Sequence, residues 1–421
     1  MSIIGAMFSG VSGLAAQSQA LGIISDNISN VNTVGYKRAS ANFNTLVTTA
    51  AIENSYSPGG VRSAPFQHVD QQGLLQSTNS QTDVAIVGNG FFVVNEAAAA
   101  GLGNNYLFTR AGSFSANKDG DLVNSAGYYL QGWPLDSAGN LPANTTVLTS
   151  LQTVNVANLT GTATPTTSME LRLNLPSTAA NGDTYSATVQ IFDSLGNPHN
   201  LQVDFVYDAA TPQWDITVQD PTLVSTGAVS GTVTAPVARS ISFNGDGTPN
   251  VITFPDIDIT WTATNANPST ISADVGTSGV IDGITQFAND FAISFIDQDG
   301  VRFGAFTNVS INEDGIVSAL FDNGERLDIY QLPLARFASP NGLDPHNGNA
   351  YLQSERSGDV LLLQPNTGGA GVVESQALES STVDLAEQFT NMIVTQRAYS
   401  ASAKIITTAD EMLEELIRVT R

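Results

Sequence analysis

Apolar residues recur at heptad spacing near both ends of this chain, and this repeat limits the possible folds more than any other feature. It predicts one helix over about residues 1–29, which contain no proline, and a second over about residues 383–418. Because such stripes are typical of helices that pack lengthwise against other helices, we interpret these residues as interface positions. In the N-terminal helix they are Ile4, Met7, Val11, Leu14, Leu21 and Ile28. In the C-terminal helix they are Leu385, Phe389, Met392, Tyr399, Ile406 and Leu413.

The heptad repeat does not identify the partner of either helix. Glycines at positions 5, 10, 13 and 22 each weaken the N-terminal helix by about 1 kcal/mol relative to alanine, so packing must stabilise it. Two arrangements are open: the terminal helices pair within one chain, or they pack against other copies of the chain. Ser381 and Asp384 predict a capping box at the start of the second helix.

Strand patterns fill the sequence between the two helices. Residues 187–192 and 201–206 alternate apolar and polar side chains, which predicts antiparallel strands with one buried face. Two apolar runs flank Gly88-Asn89-Gly90, which predicts a hairpin there. The fold class that follows is mixed and mainly β, with terminal α-helices forming an axial, coiled-coil-like domain and nested antiparallel β domains inserted between them.

Changes in composition divide the chain into four parts, and a Gly-rich stretch at 368–371 is typical of a hinge. The parts are a terminal helical polymerisation domain (1–30 and 380–421), an extended connector (31–73), an inner β domain (74–146 and 285–375) and an outer β domain inserted in it (147–284).

The charge and composition exclude several classes of partner. The formal net charge is −24, with 15 basic against 39 acidic residues, so neither nucleic acid nor an anionic membrane surface is an expected partner. No apolar run approaches the roughly 20 residues of a membrane span, and no cleavable signal peptide is recognisable. The absence of cysteine excludes disulfides and cysteine-based sites.

No constellation of residues predicts a catalytic, metal-binding or cofactor-binding site. His68, His199 and His346 lie far apart in sequence and are interpreted as surface or loop residues rather than ligands. The Asp-Gly turns lack the EF-hand spacing, and no phosphate-binding glycine loop or nucleophile elbow is present. The many carboxylates leave a glycosidase pair open, although nothing singles one out. We therefore expect a protein that is not an enzyme and that binds no cofactor.

Strings of residues at both ends resemble the signatures of the flagellar rod, hook and hook-associated axial protein family. They are residues 25–38 at the N-terminal end and residues 391–399 and 406–412 at the C-terminal end, and residues 83–92 and 109–114 resemble the inner β domain of that family. Residues 193–205 resemble the outer domain of its hook members. The family-motif residues near the N-terminus are Asn27, Asn30, Asn32, Thr33, Gly35, Tyr36 and Lys37.

The resemblance implies a structural subunit that polymerises into the curved, flexible tube carrying torque from the basal-body rod to the filament. It implies as partners further copies of the chain, rod and hook-filament junction proteins, the hook cap and the type III export apparatus. It also implies an extracellular location in the flagellum, reached without cleavage of a signal peptide. The alternatives are a distal rod subunit and, from another class, a secreted β-rich adhesin.

Overall fold

The structure, a computed structural model, describes residues 3–46, 59–99, 105–136, 138–157, 159, 161–234 and 238–419. The chain divides into two compact units. Unit 1 comprises Met1–Asn158, Val309–Ala319 and Leu327–Arg421, and unit 2 comprises Leu159–Asn308 and Leu320–Arg326. Strands dominate between one helix at each end, which confirms the predicted fold class. Positions 1 and 2 of the predicted first helix and positions 47–58 of the predicted connector lie outside the described residues.

The two helices are α1 (Ile3–Ser29) and α2 (Leu385–Val419), within two residues of the bounds that the heptad repeats predict. The cap of α2 differs from the prediction. The Asp384 carboxylate accepts hydrogen bonds from the backbone N–H groups of Ala386 and Glu387, at 2.8 and 3.2 Å, so Asp384 is itself the N-cap residue. Ser381 lies before the helix and accepts a bond only from the N–H of Val383.

The first ten strands of the chain all belong to unit 1. They are β1 (Ala39–Thr45), β2 (Val61–Gln67), β3 (Leu75–Ser77), β4 (Val84–Val87), β5 (Phe91–Asn95), β6 (Tyr106–Thr109), β7 (Phe114–Ala116), β8 (Leu122–Asn124), β9 (Tyr129–Pro134) and β10 (Gln152–Thr153). Strands β1 and β2 pair antiparallel, so the segment expected to be an extended connector contains a two-stranded sheet.

The hairpin predicted at Gly88-Asn89-Gly90 is absent from the structure. Strand β5 pairs with β6 and β9 in the central sheet of unit 1, whereas β4 pairs with a strand near the C-terminus, Val372–Ser375. Gly88 and Gly90 both have positive φ, at 96° and 138°. These glycines therefore redirect the chain from one sheet to another instead of closing a turn between neighbours.

The core of unit 2 is formed by two six-stranded sheets, and two further strands of the unit pair with each other. Its strands are β11 (Thr162–Thr164), β12 (Ser168–Pro176), β13 (Thr184–Phe192), β14 (Pro198–Asp208), β15 (Gln213–Val218), β16 (Thr222–Leu223), β17 (Gly231–Val233), β18 (Arg239–Phe243), β19 (Pro249–Thr253), β20 (Ile257–Trp261), β21 (Ser269–Asp274), β22 (Thr285–Phe287), β23 (Ala292–Gln298) and β24 (Val301–Gly304). One sheet has the order β13-β14-β15-β18-β19, with β16 on β14. The other has the order β17-β20-β21-β12-β22, with β23 on β12.

Strict alternation places one face of each long strand in the core of unit 2, as predicted. Along β13, for example, Ala187, Val189 and Ile191 are buried and the residues between them are exposed. The sheets are antiparallel with one exception, since β12 lies parallel to β21 and β22.

The strands that follow β24 complete unit 1, and the first three of them also contain residues of unit 2. They are β25 (Phe306–Ile311), β26 (Ile316–Phe321), β27 (Arg326–Gln331), β28 (Leu334–Arg336), β29 (Asp344–His346), β30 (Ala350–Leu352), β31 (Leu361–Leu363), β32 (Val372–Ser375) and β33 (Ala377–Glu379). The core of unit 1 is aromatic, with Phe91, Phe108, Trp133, Phe337 and Tyr351 packed together. The glycine stretch 368–371, expected to lead into the last helix, instead forms a hydrogen-bonded turn before β32 and β33.

Candidate subunit interface and the contacts between the terminal motifs

Helices α1 and α2 pack against each other along a seam of small residues, which confirms pairing within one chain. On α1 the buried positions include Gly10, Ala16 and Ala20. A β-carbon at Gly10 would lie 3.0 Å from Cγ1 of Ile406, and one at Gly13 would lie 3.0 Å from Oγ of Ser402. Gly10 and Gly13, two of the four glycines that weaken α1 as an isolated helix, thus allow the close approach of α2.

The buried column of α2 consists of Gln388, Thr395 and Ala409, with partly buried Ser402 at the heptad position between the last two. These residues recur at multiples of seven positions, but they are small or polar. Because these residues are not large and apolar, the apolar heptad pattern of the sequence does not include them and does not predict this seam.

None of the predicted interface residues of α1 is fully buried. Ile4 and Val11 are exposed, at 63% and 54%, and Phe8, which the prediction missed, is 73% exposed. The others are partly buried: Met7, Leu14, Leu21 and Ile28.

The predicted interface residues of α2 also fall into an exposed group and a partly buried group. Leu385, Phe389 and Tyr399 are exposed, with Phe389 at 51%. Met392, Ile406 and Leu413 are partly buried. Further large apolar residues are exposed on α2: Ile393, Val394, Ile405, Met412, Leu416, Ile417 and Val419. Both helices therefore present apolar side chains that pairing within one chain does not cover.

Asn27, at the end of α1, joins three elements of unit 1 through a buried side-chain amide. Its Nδ2 donates to the carbonyl of Ala39, at 2.7 Å, and to Oε1 of Gln388, at 3.1 Å. Its Oδ1 accepts from the N–H of Ala39, at 3.0 Å, and from the hydroxyl of Tyr36, at 3.2 Å. The amide satisfies both its donor and its acceptor capacity, so it fixes α1, the start of β1 and the start of α2 relative to one another.

The residues after Asn27 shape the turn that leaves α1. Asn30 donates to the carbonyl of Asp26, at 2.9 Å, and accepts from the hydroxyl of Thr33, at 3.1 Å, while Asn32 is exposed. These bonds satisfy backbone and side-chain groups where the helix ends.

Gly35 then takes a conformation that favours glycine, with φ of 69°. Its N–H donates to the carbonyl of Glu379, at 2.8 Å, and an added β-carbon would lie 2.7 Å from the backbone nitrogen of Ala111. The positive φ and the close approach to Ala111 are therefore two separate reasons for glycine at this position.

Lys37 takes part in a buried cluster of three charged side chains. Its Nζ contacts Oε1 of Glu379 and the carbonyl of Gln71, and Glu379 also binds Arg110 through Oε2, at 3.2 Å from Nη1. The N–H of Gly73 donates to Oε1 of Glu379 at 2.7 Å. Lys37 and Glu379 are completely buried and Arg110 is 3% exposed. One carboxylate thus holds two cations from distant parts of the sequence.

Burial sets the ionisation properties of this cluster. Loss of hydration lowers the pKa of Lys37, and the carboxylate of Glu379 opposes that shift only in part. Burial likewise lowers the pKa of Arg110, against the opposing charge of Glu379. The hydroxyl of Tyr36 has a raised pKa because it is desolvated and because Asp26 is nearby. Arg38, by contrast, forms an exposed ion pair with Glu387, at 3.2 Å.

Four family models match parts of the chain in sequence order. "Flagella basal body rod protein" matches residues 7–37 and "Flagellar hook protein FlgE/F/G D1 domain" matches residues 85–164. "Flagellar basal body protein FlaE D2 domain" matches residues 158–301, and "Flagellar basal body rod FlgEFG protein C-terminal" matches residues 374–419. The first and last of these matches contain Asn27 to Lys37 and Glu379, the residues that contact one another in the folded chain.

Curated relatives match the chain over essentially its whole length. The flagellar hook protein FlgE of Caulobacter vibrioides is 32% identical, and that of Brucella suis is 35% identical, each match covering 100% of both chains. The FlgE of Escherichia coli is 30% identical, over 97% of this chain and 98% of the relative. This chain belongs to the flagellar hook protein FlgE family. It is a structural subunit of the hook, as the terminal motifs and residues 193–205 predict.

The fold agrees with this FlgE assignment. A crystal structure of the Helicobacter pylori flagellar hook protein FlgE2 matches with a TM-score of 0.50 at 14% identity, covering 72% of this chain and 100% of that chain. At this level of identity the likeness concerns the fold alone.

The hook D2 region, unit 2, contains a buried arrangement of Asp193, His199 and Ser230. His199 Nδ1 lies 2.7 Å from Oγ of Ser230 and Nε2 lies 3.3 Å from Oδ2 of Asp193, while the ring stacks on Trp261 with centroids 4.2 Å apart. His199 and Ser230 are both completely buried, so no substrate can reach them. The interpretation of His199 as a surface or loop residue was wrong, because the alternation along β14 places it in the core.

The ionisation of this group follows from its surroundings. Burial lowers the pKa of His199, and Asp193 only partly opposes that shift. For Asp193 burial acts to raise the pKa, but hydrogen bonds from Asn197, Thr264 and His199 outweigh it, and the pKa is lowered. The arrangement is a neutral imidazole beside a carboxylate, satisfied within the core.

Across the ranges that the structure describes, no group of three or more metal-ligating side chains has the geometry to hold an ion. Within the same ranges, neither α1 nor α2 is long and apolar enough to cross a membrane.

Proposed function

We propose that this hook subunit polymerises through the apolar faces of α1 and α2, which form the inner layer of a helical tube. The observation that carries the proposal is the exposure of large apolar side chains on both helices, Phe8, Ile4, Phe389 and Ile417 among them. Burying one such side chain fully stabilises a contact by roughly 1.5–3 kcal/mol. Soluble monomers seldom leave such contiguous surfaces uncovered, and further copies of the chain would cover them.

Head-to-tail contacts that do not close into a ring generate a helical polymer. Residues 1–30 and 380–421 would be the polymerisation domain, residues 31–73 the connector, residues 74–146 and 285–375 the inner β domain, and residues 147–284 the outer one. The surface of the outer part is rich in Ser, Thr and Asn and poor in charge. Small, wet contacts on such a surface cost little to break, which suits a joint that bends while it transmits torque from rod to filament.

The partners of such a subunit are other copies of itself, the rod and hook-filament junction proteins, the hook cap and the type III export apparatus. We propose an extracellular location in the flagellum after export as an unfolded chain with an uncleaved N-terminus. The absence of cysteine supports this route, because an early disulfide would obstruct threading. A structural role of this kind needs no catalytic activity.

Electron microscopy of cells deleted for this gene tests the proposal. Loss of the curved hook in the deletion, with rescue by the full chain and no rescue by a version lacking residues 383–421, is the expected result. An intact hook in the deletion would contradict the hook role and would favour the rod or adhesin alternatives. Rescue by the truncated version would contradict polymerisation through α2.

A further inference from the structure

A small cavity in unit 1 is lined by two arginines that come from different strands of the chain. Arg110 follows β6 and Arg336 ends β28, and both border a cavity of about 190 Å³ together with Asp70, Asn89 and Phe337. In a chain whose net charge is −24, a cavity bordered by two guanidinium groups and one carboxylate is unusual. Neither the hook family nor the polymerisation proposed above accounts for it.

Arg110 belongs to a buried cluster with an excess of positive charge. Its Nη1 binds Glu379, its Nη2 donates to the carbonyl of Gly88 at 2.7 Å, and its guanidinium lies over the ring of Phe91 at 5.3 Å. Lys37 shares the same carboxylate, so two buried cations contact one buried anion, and Asp70 acts on Lys37 only from an exposed position. Uncompensated buried charge is costly, and a second anion beside Arg110 would offset it.

One donor of Arg110 also lacks a partner. Its Nε is buried, and within the described residues no acceptor lies in hydrogen-bond range of it. Buried guanidinium donors are almost always satisfied by protein, water or a ligand. A buried donor of this kind, on a side chain that is 3% exposed and borders a cavity, can bind an acceptor oxygen of a ligand.

Arg336 supplies a second cation that is only partly engaged. Its Nη1 donates to the carbonyl of Gly368 at 2.9 Å, and the residue is exposed. Asp70, the carboxylate on the cavity wall, is exposed as well, and in the described part of the chain it forms no ion pair with either arginine. The cavity therefore retains positive charge that its own acidic residue does not neutralise.

We propose that the Arg110–Arg336 cavity binds a small oxyanion of the phosphate or sulfate type. Such an ion presents several acceptor oxygens, which match guanidinium donors arriving from two sides, and charge-assisted bonds of this kind are strong. Binding would neutralise the excess charge beside Glu379 and would brace the cluster that holds the two terminal motifs together.

Isothermal titration calorimetry of the full chain with inorganic phosphate, at constant ionic strength balanced by chloride, tests the proposal. The expected result is saturable binding at one site per chain. Arg336→Gln removes one charged donor from an exposed position, where the fold tolerates it, and should weaken binding about tenfold to a hundredfold. The matched control Arg356→Gln removes another exposed arginine of unit 1, paired with Asp344, and should leave binding unchanged.

A second variant, Arg110→Lys, keeps the buried charge but loses the planar donors, so it should weaken phosphate binding while Glu379 remains paired. Equal binding by the wild type and Arg336→Gln would overturn the proposal, because the ion would then lie elsewhere. Absence of saturable binding to the wild type, the sign of weak and adventitious ion association only, would overturn it equally.

Discussion

Replacing Glu379 by alanine should loosen the contact between the two terminal motifs more than any other single change in unit 1. The carboxylate is completely buried and binds Lys37, Arg110 and the N–H of Gly73. Its removal leaves two buried cations without their common partner, and breaking a buried ion pair in this way costs about 3–5 kcal/mol. Hydrogen exchange of backbone amides, read by mass spectrometry, should therefore show exchange in residues 27–38 accelerated by roughly two to four orders of magnitude.

The stability lost in Glu379→Ala should depend on pH, and the two buried cations determine how. Without Glu379, Lys37 keeps its desolvation and loses its counter-charge, so its pKa falls further below that of the unfolded chain. The unfolded state then binds more protons than the folded state. The free energy of unfolding therefore rises with pH as Lys37 loses its proton. Arg110 stays charged throughout, so the recovery should be partial.

Glu387→Ala provides the matched control for this experiment. Glu387 also pairs with an arginine of the N-terminal motif, but Arg38 and Glu387 are 26% and 50% exposed, and exposed pairs contribute about 0–1 kcal/mol. Peptides from unit 2 serve as an internal reference, because their exchange should not change. If Glu379→Ala and Glu387→Ala accelerate exchange equally, the buried cluster does not hold the motifs together and the reasoning is refuted.

Two further experiments test the local interpretations. Gly35→Ala places a β-carbon on a residue in the left-handed region and against the backbone of Ala111. Backbone strain alone costs about 1–2 kcal/mol, so the free energy of unfolding, measured with urea, should fall by more than this amount. Gly127→Ala has the same sign of φ with open space around it and should show the strain alone; equal losses would contradict the packing argument. Because the folded chain holds the pKa of His199 below the unfolded value of 6.5, the unfolded state binds more protons in the interval between the two pKa values. As the pH falls from 6.5 through that interval, unit 2 should lose stability by up to about 1.4 kcal/mol per pH unit. The fluorescence of Trp261, which stacks on His199, reports that unfolding, and His199→Gln should flatten the pH dependence; an unchanged slope would show that other groups cause it.

Local periodicity predicted the elements of this fold well. Heptad spacing gave both helices to within two residues, and alternation along β13 and β14 gave the buried face of unit 2. Both patterns depend on residues close together in the sequence, which is where periodicity carries information. The same alternation places His199 inside, but the histidine was interpreted by residue type rather than by its position on the strand.

Contacts between distant segments could not be predicted in this way. Lys37 and Glu379 are separated by 342 positions, and no local pattern links them. Arg110 lies in a string that resembles the hook family, yet nothing in that string indicates a buried charge. The seam on α2 escaped notice because Gln388, Thr395 and Ala409 are not apolar enough to mark a helix face. The prediction of a hairpin at Gly88 was wrong for a related reason, because a glycine turn signal does not show that the two strands it separates pair with each other.

The most direct test of polymerisation through the helices combines Phe389→Ser with Ile393→Ser in cells that otherwise lack this gene. The two side chains are neighbours on one helix face and are exposed, at 51% and 53%, so the folded subunit should keep its helical circular dichroism. The control variant carries Thr390→Ser and Gln396→Ser, which alter exposed polar residues of the same helix. The account predicts hooks of normal shape in electron micrographs with the control and none with the apolar-to-polar variant. Normal hooks with both variants would contradict the claim that the exposed apolar face of α2 holds the polymer together.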